Sequence, residues 1–176
     1  MIPADDFKAA FRLHPAGVSL ITADAHGVPI ALTASSVSAV SADPPLLMFS
    51  VSVHSSSSTV LRLADTVVVH LLSANNHDLA VLGATSGVDR FTDTTRRHRL
   101  DTGEPVFDDV RTWLRARILH RIDAGGSTVF VGTAIESRCD ADPSTDEGLV
   151  YRNRRWHRLR EDSVVVPLEL AGSVPR

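Results

Sequence analysis

The chain has 176 residues, a net charge of −3 and an apolar fraction of 43%. That length suits a single domain with its own hydrophobic core, and the small negative charge gives no reason to expect nucleic acid or a membrane surface as a partner. The single cysteine, Cys139, excludes an internal disulfide and suits a reducing cytoplasm.

The first residues, MIPADDFKAAF, lack the basic and apolar regions of a secretory signal peptide. No apolar run approaches the roughly 18 residues that a membrane-spanning helix needs. We therefore expect a cytoplasmic protein without a membrane partner.

The first third of the chain predicts one helix and three strands. Phe7, Ala10 and Phe11 share one face of a short helix. This helix ends at His14-Pro15, because a residue before proline avoids the α region. His26-Gly27 separates two apolar runs and predicts a hairpin turn. The predicted strands are Val18–Thr22, Pro29–Thr33 and Leu46–Val53, the last of which alternates apolar and polar residues with the period of a strand.

The rest of the chain predicts two more short helices, a polar loop and several strands. One helix starts at Ser57 or Ser58, and the other spans His77–Ala84 with Leu79 and Leu82 facing inward and Val81 as a further candidate for that face. Thr92–Glu104 is charged and has no periodicity, so we expect a surface loop or lid. The predicted strands are Thr66–Leu72, Trp113–Ile122, Ser127–Ile135, Leu149–Arg152 and Arg155–Leu159, with Val164–Val166 as an edge strand and a frayed tail from Ala171. Asn153-Arg154 joins two of these strands and predicts a second hairpin turn.

Roughly seven strands at short spacing, without alternation of strands and helices, favour a closed or partly closed antiparallel barrel over a doubly wound sheet. Two stretches of small hydroxyl residues, Thr33–Ser36 and Ser55–Thr59, follow predicted strands. Small residues let a ligand approach the backbone, and hydroxyls before a helix N-terminus can hold a phosphate. By composition alone, each stretch is also compatible with a flexible, solvated loop.

Several motifs occur in an order that resembles the flavin reductase family of FMN-binding split barrels. They are Phe11–Val18, Thr33–Ser36, Ser38–Leu46, Ser55–Thr59, Asp89–Phe91 and Leu149–Leu159. The resemblance implies a mainly β, Greek-key split barrel with a few flanking helices. It also implies one domain over residues 1–176, with a core at about 7–160 and a tail at 161–176, and a homodimer with flavin near the subunit interface.

The resemblance also implies the residues that bind the cofactor. Thr33, Ala34, Ser35 and Ser36, with Ser50 nearby, are expected to hold the ribityl chain and ring edge. The serine tract is expected to hold the phosphate through Ser55, Ser56 and Ser57, flanked by His54 and Thr59. Arg90 and Phe91 are expected to line the pocket, although Asp89–Phe91 also fits a salt-bridged helix exit. Tyr151 and Trp156 either stack on a ring or pack in the core.

One segment departs from the family pattern. Where the family usually has Gly-Asp-His before a strand, this chain has Gly125-Gly126-Ser127. The missing histidine is associated with the nicotinamide side of the pocket. Ser127 can replace one hydrogen bond but not a cation, and His120 across the hairpin is the second candidate for this catalytic position.

The leading interpretation is an enzyme, an NAD(P)H:flavin oxidoreductase that reduces FMN or FAD with NADH or NADPH. The family often supplies reduced flavin to a partner monooxygenase. Two alternatives remain open because of the departure at Ser127: a flavin-dependent enzyme with another substrate, and a non-catalytic flavin-binding protein.

Other site classes have little support in the sequence. The eight histidines lack metal-binding spacing, so we expect no metal site. No Gly-x-Ser-x-Gly elbow and no Gly-x-Gly-x-x-Gly fingerprint occur, which argues against a serine hydrolase and a Rossmann nucleotide site.

Overall fold

A computed structural model of the protein describes residues 1–142 and 145–165. Three α-helices lie within these ranges: α1 (Ala4–Leu13), α2 (Ser58–Leu63) and α3 (His77–Ala84). The strands of the described residues are β1 (Ala16–Gly17), β2 (Ser19–Ala25), β3 (Val28–Ala34), β4 (Ser38–Ala42), β5 (Pro45–Ser52), β6 (Thr66–Leu71), β7 (Arg97–Arg99), β8 (Pro105–Phe107), β9 (Thr112–Ala124), β10 (Ser127–Cys139), β11 (Gly148–Arg152) and β12 (Arg155–Leu159).

Seven strands form one antiparallel sheet in the order β3-β2-β6-β9-β10-β5-β4. β1, β11 and β12 form a second sheet, and β7 pairs with β8. The mainly β, antiparallel class expected from the sequence is confirmed. None of the described helices is long and apolar enough to span a membrane.

The alternation in β5 shows why the sheet has an inner and an outer face. Leu47, Phe49 and Val51 are buried, whereas Met48 and Ser52 are exposed. The Phe49 ring stacks on Phe130 of β10 with 5.0 Å between ring centroids. Burial of such rings removes apolar surface from water and holds the inner face together.

Several local predictions are confirmed. α3 has the predicted bounds, and α1 ends before His14-Pro15. Both predicted hairpin turns use backbone with positive φ, at His26 and Gly27 and again at Asn153 and Arg154. Such turns match the right-handed twist of the strands that they join.

Other predictions are wrong. β4 was not predicted, and Thr92–Glu104 is not entirely irregular, because it contains β7. Val81 is 41% exposed rather than inward. Val164 and Val165 form no strand, and Val166 and the tail from Ala171 lie outside the described residues. These errors share one cause: short segments take their conformation from distant partners that local periodicity does not reveal.

The two ends of the large sheet approach each other near Ser36. Its hydroxyl donates to the carbonyl of Ser50 at 3.1 Å and accepts from the Ser50 N–H at 3.0 Å. The segment that follows β3 is thereby held against β5. Ser36 and Ser50 both line the cavity described next.

Candidate functional site

A cavity of about 360 Å³ lies where β3 approaches β5. This volume falls within the range of small-molecule sites. Its lining is rich in small hydroxyl residues and consists of Leu32, Thr33, Ala34, Ser35, Ser36, Ser50, Val51, Ser52 and Ser55. The structure thus brings together the predicted segment Thr33–Ser36, Ser50 and the start of the serine tract.

Two of these hydroxyls have fixed roles within the protein. Thr33 donates its hydroxyl proton to the carbonyl of Ala80 in α3 at 2.7 Å. Ser36 uses its hydroxyl for both hydrogen bonds to Ser50. Thr33 therefore offers a ligand only an acceptor oxygen. The exposed hydroxyl of Ser35 makes no hydrogen bond to another described residue and can donate as well as accept.

The serine tract forms a compact turn before α2. The N–H groups of Ser55 and Ser58 donate to carbonyls within the turn, and the Ser57 N–H donates to the Ser55 hydroxyl. Ser57 is 2% exposed, whereas His54, Ser56 and Thr59 are exposed to solvent. Only Ser55 of this tract reaches the larger cavity. Of the predicted phosphate ligands, Ser55 therefore lines the cavity, and Ser56 is the adjacent residue, with its side chain exposed to solvent.

A second, smaller cavity of about 190 Å³ adjoins the first. Its lining is Val18, Thr33, Ser35, Ala84, Tyr151 and Trp156, so the two cavities share Thr33 and Ser35. Tyr151 and Trp156 lie opposite each other in the β11–β12 hairpin, with 4.7 Å between ring centroids. His77 contacts the outer side of Trp156 edge-on at 5.4 Å. This cavity therefore offers aromatic faces where the first offers hydroxyls.

Arg90 and Phe91, which were expected to line the pocket, line neither cavity. The Arg90 guanidinium donates to the carbonyl of Thr85 at 2.6 Å, at the end of α3. Its Nε is buried and has no partner among the described residues. Phe91 stacks on Phe107 at 6.4 Å and packs with the cluster that includes Tyr151 and Trp156. Phe91 therefore packs in the cluster that includes the aromatic residues of the smaller cavity, whereas Arg90 binds the end of α3.

Ser127 and His120 lie apart. Ser127 is directly opposite Ser52 in the β10–β5 ladder, so the two share a sheet face beside the larger cavity. His120 is exposed and lies opposite Val131. Val131 follows Ser127 by four residues in β10, so His120 lies roughly 13 Å along the sheet from Ser127. The structure does not bring His120 to either cavity.

The side chains that line the two cavities carry no carboxylate, imidazole, ammonium or guanidinium group. The described residues also contain no group of three or more His, Cys, Asp and Glu side chains that could hold a metal ion. Among the described residues, the buried ionisable side chains are those of His70 and Glu104, and neither lines a cavity. The arrangement can therefore bind and orient a polar, planar ligand, and the phenol of Tyr151 is the one ionisable group that the described residues bring to the cavity lining.

Several lining residues were missed by sequence reasoning, namely Val18, Leu32, Val51, Ser52 and Ala84. Ser52 could have been found, because it alternates with Ser50 along β5 and so shares its face. Nothing in the sequence places Ala84 of α3 beside Tyr151, since they come together only through tertiary packing.

Known proteins have sequences and folds similar to those of this chain. The model of the flavin reductase like domain matches residues 11–160. An NADH:FMN oxidoreductase of Rhodococcus qingshengii is 37% identical over 158 residues, which cover 89% of this chain and 82% of that protein.

Solved structures extend the similarity to the fold. A flavin reductase domain protein from Arthrobacter sp. FB24 superposes with a TM-score of 0.82 at 29% identity, covering 95% of this chain and 98% of that one. An NADH:FAD oxidoreductase of Streptomyces globisporus C-1027, solved in complex with NAD and FAD fragments, gives a TM-score of 0.80 at 25% identity, covering 93% and 99%. The expected split-barrel architecture is confirmed by these neighbours, and the chain belongs to the flavin reductase like domain family.

Proposed function

We propose that this protein is an NAD(P)H:flavin oxidoreductase that reduces FMN or FAD by hydride transfer. The observation that carries the proposal is the pair of adjoining cavities, one lined by hydroxyls and one by aromatic rings, which share Thr33 and Ser35. Membership of the flavin reductase like domain family supports the same activity.

The residues present fit a flavin. Its polar ring edge and ribityl chain require hydrogen-bonding groups at close range, which the segment Thr33–Ser36 and Ser50 offer in the larger cavity. Ser55 and Ser56 are proposed to hold the phosphate end, and Tyr151 and Trp156 to flank the rings. When bound, the flavin accepts a hydride from the reduced nicotinamide and so supplies the redox chemistry.

The protein's own contribution is to bind and orient. Because no carboxylate, imidazole, ammonium or guanidinium group lines the cavities, the rate depends on alignment of the two reactants rather than on proton transfer from such a group. Ser127 is proposed as an additional hydrogen-bonding group, since it neighbours Ser52 beside the larger cavity. We make no such proposal for His120, which lies outside both cavities.

The direct test follows the absorbance of NADH, and then of NADPH, with purified protein and added FMN or FAD under air. Fast oxidation that requires added flavin supports a reductase working on diffusible flavin. A tightly held yellow cofactor without such turnover would instead favour the flavin enzyme with another substrate. Measurable FMN binding without any turnover would favour a carrier, with Gly125-Gly126-Ser127 as the altered donor site.

Removal of the serine hydroxyls should weaken FMN selectively. We expect the double variant Ser55→Ala, Ser56→Ala to raise the Kd of FMN about 100-fold, because it removes two hydrogen bonds to a charged phosphate and each contributes about 1.5 kcal/mol. Riboflavin lacks the phosphate, so its Kd should change less than about 2-fold. Quenching of flavin fluorescence measures both constants. Ser38→Ala, an exposed hydroxyl on β4, is the control, and equal losses for both flavins would contradict the assignment.

Truncation of Trp156 should distinguish stacking from packing. If its ring flanks a reactant, Trp156→Ala lowers kcat/KM for the nicotinamide donor about 5-fold, because an aromatic contact contributes about 1 kcal/mol. Trp156→Phe should retain most of the activity. Steady-state kinetics and thermal unfolding are measured together, and a lower Tm with unchanged kcat/KM would show that Trp156 only packs.

We also propose that the protein is a homodimer. The outer face of the sheet carries Met48, which is 40% exposed, and Ile122, which is 53% exposed, on the same face as Ser50 and Ser127. An exposed apolar surface of this kind is typical of an interface. Ile122→Glu should shift the sedimentation coefficient from dimer to monomer, while Val28→Glu, at an exposed valine of β3, should not. A monomeric wild type would refute the proposal.

Three further expectations complete the proposal. Residues 1–176 act as one domain, which the family match over residues 11–160 supports. The reduced flavin passes to a partner monooxygenase, as the family resemblance implies. The single cysteine is in keeping with a cytoplasmic location.

A further inference from the structure

The last turn of α3 lies unusually close to β3, the strand whose Thr33 lines both cavities. Gly83 lies so close to β3 that a Cβ added to it would overlap Leu20 Cδ1 and Thr33 Oγ1, and would lie 2.9 Å from the backbone nitrogen of Thr33. Real Cβ atoms essentially never approach other atoms so closely. Gly83 is therefore required by this close approach rather than by its backbone conformation.

The same helix also holds the side chain of Thr33. The carbonyl of Ala80, one turn before Gly83, accepts the hydroxyl proton of Thr33 at 2.7 Å. Ala80 is fully buried. Thr33 is thus held by its side chain and restricted at its backbone by one turn of α3.

The position of Thr33 matters because it lines both cavities, and Ala84, which follows Gly83, lines the smaller one. A shift of α3 away from β3 would move the wall that the two cavities share. Misalignment of about 1 Å between two reactants can reduce a rate by as much as about 100-fold.

We propose that Gly83 is a positioning residue for flavin reduction. It lets α3 lie against Thr33 and so sets the relative placement of the two cavities, without contacting either reactant. This inference rests on the proposed assignment of the larger cavity to flavin and of the smaller one to the reacting rings.

The test compares Gly83→Ala with Gly17→Ala, whose added Cβ would meet no atom within 4 Å. We expect Gly83→Ala to raise the Kd of FMN and of riboflavin by the same factor, about 10-fold, because the wall beside the rings moves while the serine tract does not. The kcat should fall at least as much. Gly17→Ala should leave both quantities unchanged.

Thermal unfolding of both variants separates positioning from stability. If Gly83→Ala lowers the Tm but leaves both flavin Kd values and kcat at the wild-type level, the inference is refuted. Should this variant not fold, Ala80→Gly provides the milder test, with a rise of about 3-fold expected in both Kd values because the helix loses rigidity beside Thr33; unchanged Kd values there would equally refute it. Wild-type protein is assayed first, and failure of the wild type to bind or reduce flavin would refute the proposed function instead.

Discussion

Acidification from pH 7 to pH 5 is expected to lower the free energy of unfolding by about 2 kcal/mol, because the buried His70 resists protonation. Burial removes the water that would stabilise the charged imidazolium, and it lowers the pKa of His70 from 6.5 to about 4. The hydrogen bond to the carbonyl of Leu20 opposes this shift, and the nearby charge of His98 adds to it.

The hydrogen bonds of His70 explain why its neutral form is needed. Nδ1 lies 3.0 Å from the carbonyl of Leu20, and Nε2 accepts the N–H of Phe107 at 3.1 Å. A proton on Nε2 would face that N–H at a position that is buried from solvent. The imidazole therefore joins β2, β6 and β8 only while Nε2 is unprotonated.

The sign of the pH effect follows from the two pKa values. Between pH 6.5 and about 4, the unfolded chain carries a proton on His70 that the folded protein does not. Acid therefore favours unfolding across this interval. The contribution is fully present above pH 6.5 and amounts to about 3 kcal/mol in total, lost progressively as the pH falls to about 4.

Urea unfolding at pH 7, 6 and 5 measures this dependence. His70→Asn should be less stable at every pH, yet nearly independent of pH in this range, because an amide does not titrate. His98→Gln is the control, since His98 is exposed and pairs with Asp108 on the surface, and it should retain most of the wild-type slope. A wild type with constant stability from pH 7 to 5 would contradict the assignment.

Replacement of Glu104 by glutamine is expected to cost about 3 kcal/mol of stability at neutral pH. The Glu104 side chain is 1% exposed and accepts hydrogen bonds from Thr66, Thr102 and the Nε of Arg115, the last at 3.0 Å. An amide retains one acceptor oxygen but places an NH₂ group against these donors. It also removes the closer of the two carboxylates that pair with Arg115, which is itself only 15% exposed; the other, Glu136, lies at 3.7 Å.

The charge state of Glu104 supports this expectation. Burial raises its pKa, but the hydrogen bonds from Thr102, Thr66 and Arg115 together outweigh burial and lower it. The carboxylate is therefore ionised at neutral pH. Its contribution to stability is present above the ordinary pKa of 4.5 and is lost as the pH falls through the lowered value.

Asp140→Asn provides the matched control. Asp140 pairs with Arg138 at 2.6 Å, but the two side chains are 60% and 40% exposed. A solvent-exposed pair contributes less than about 1 kcal/mol. Urea unfolding of both variants at pH 7 gives the comparison, and similar losses for Glu104→Gln and Asp140→Asn would show that burial of Glu104 does not strengthen its interactions.

The sequence by itself determined those features that depend on neighbours a few residues apart. The alternation in Leu46–Val53 predicted which side chains of β5 face inward, and the spacing of apolar residues in His77–Ala84 predicted α3. Turn residues located the hairpins at His26-Gly27 and Asn153-Arg154. The hydroxyl-rich segments predicted that Thr33–Ser36 belongs to a site, because small polar residues after a strand are suited to a ligand.

Only the tertiary structure decided which of these pieces meet. It joined Ser36 to Ser50, buried Glu104 within a stretch that reads as a polar loop, and left His120 about four residue pairs from Ser127. It also pressed Gly83 against Thr33, a contact between residues 50 positions apart. Such contacts depend on strand pairing and packing over long stretches of chain, whereas periodicity records only how a segment orients its own side chains.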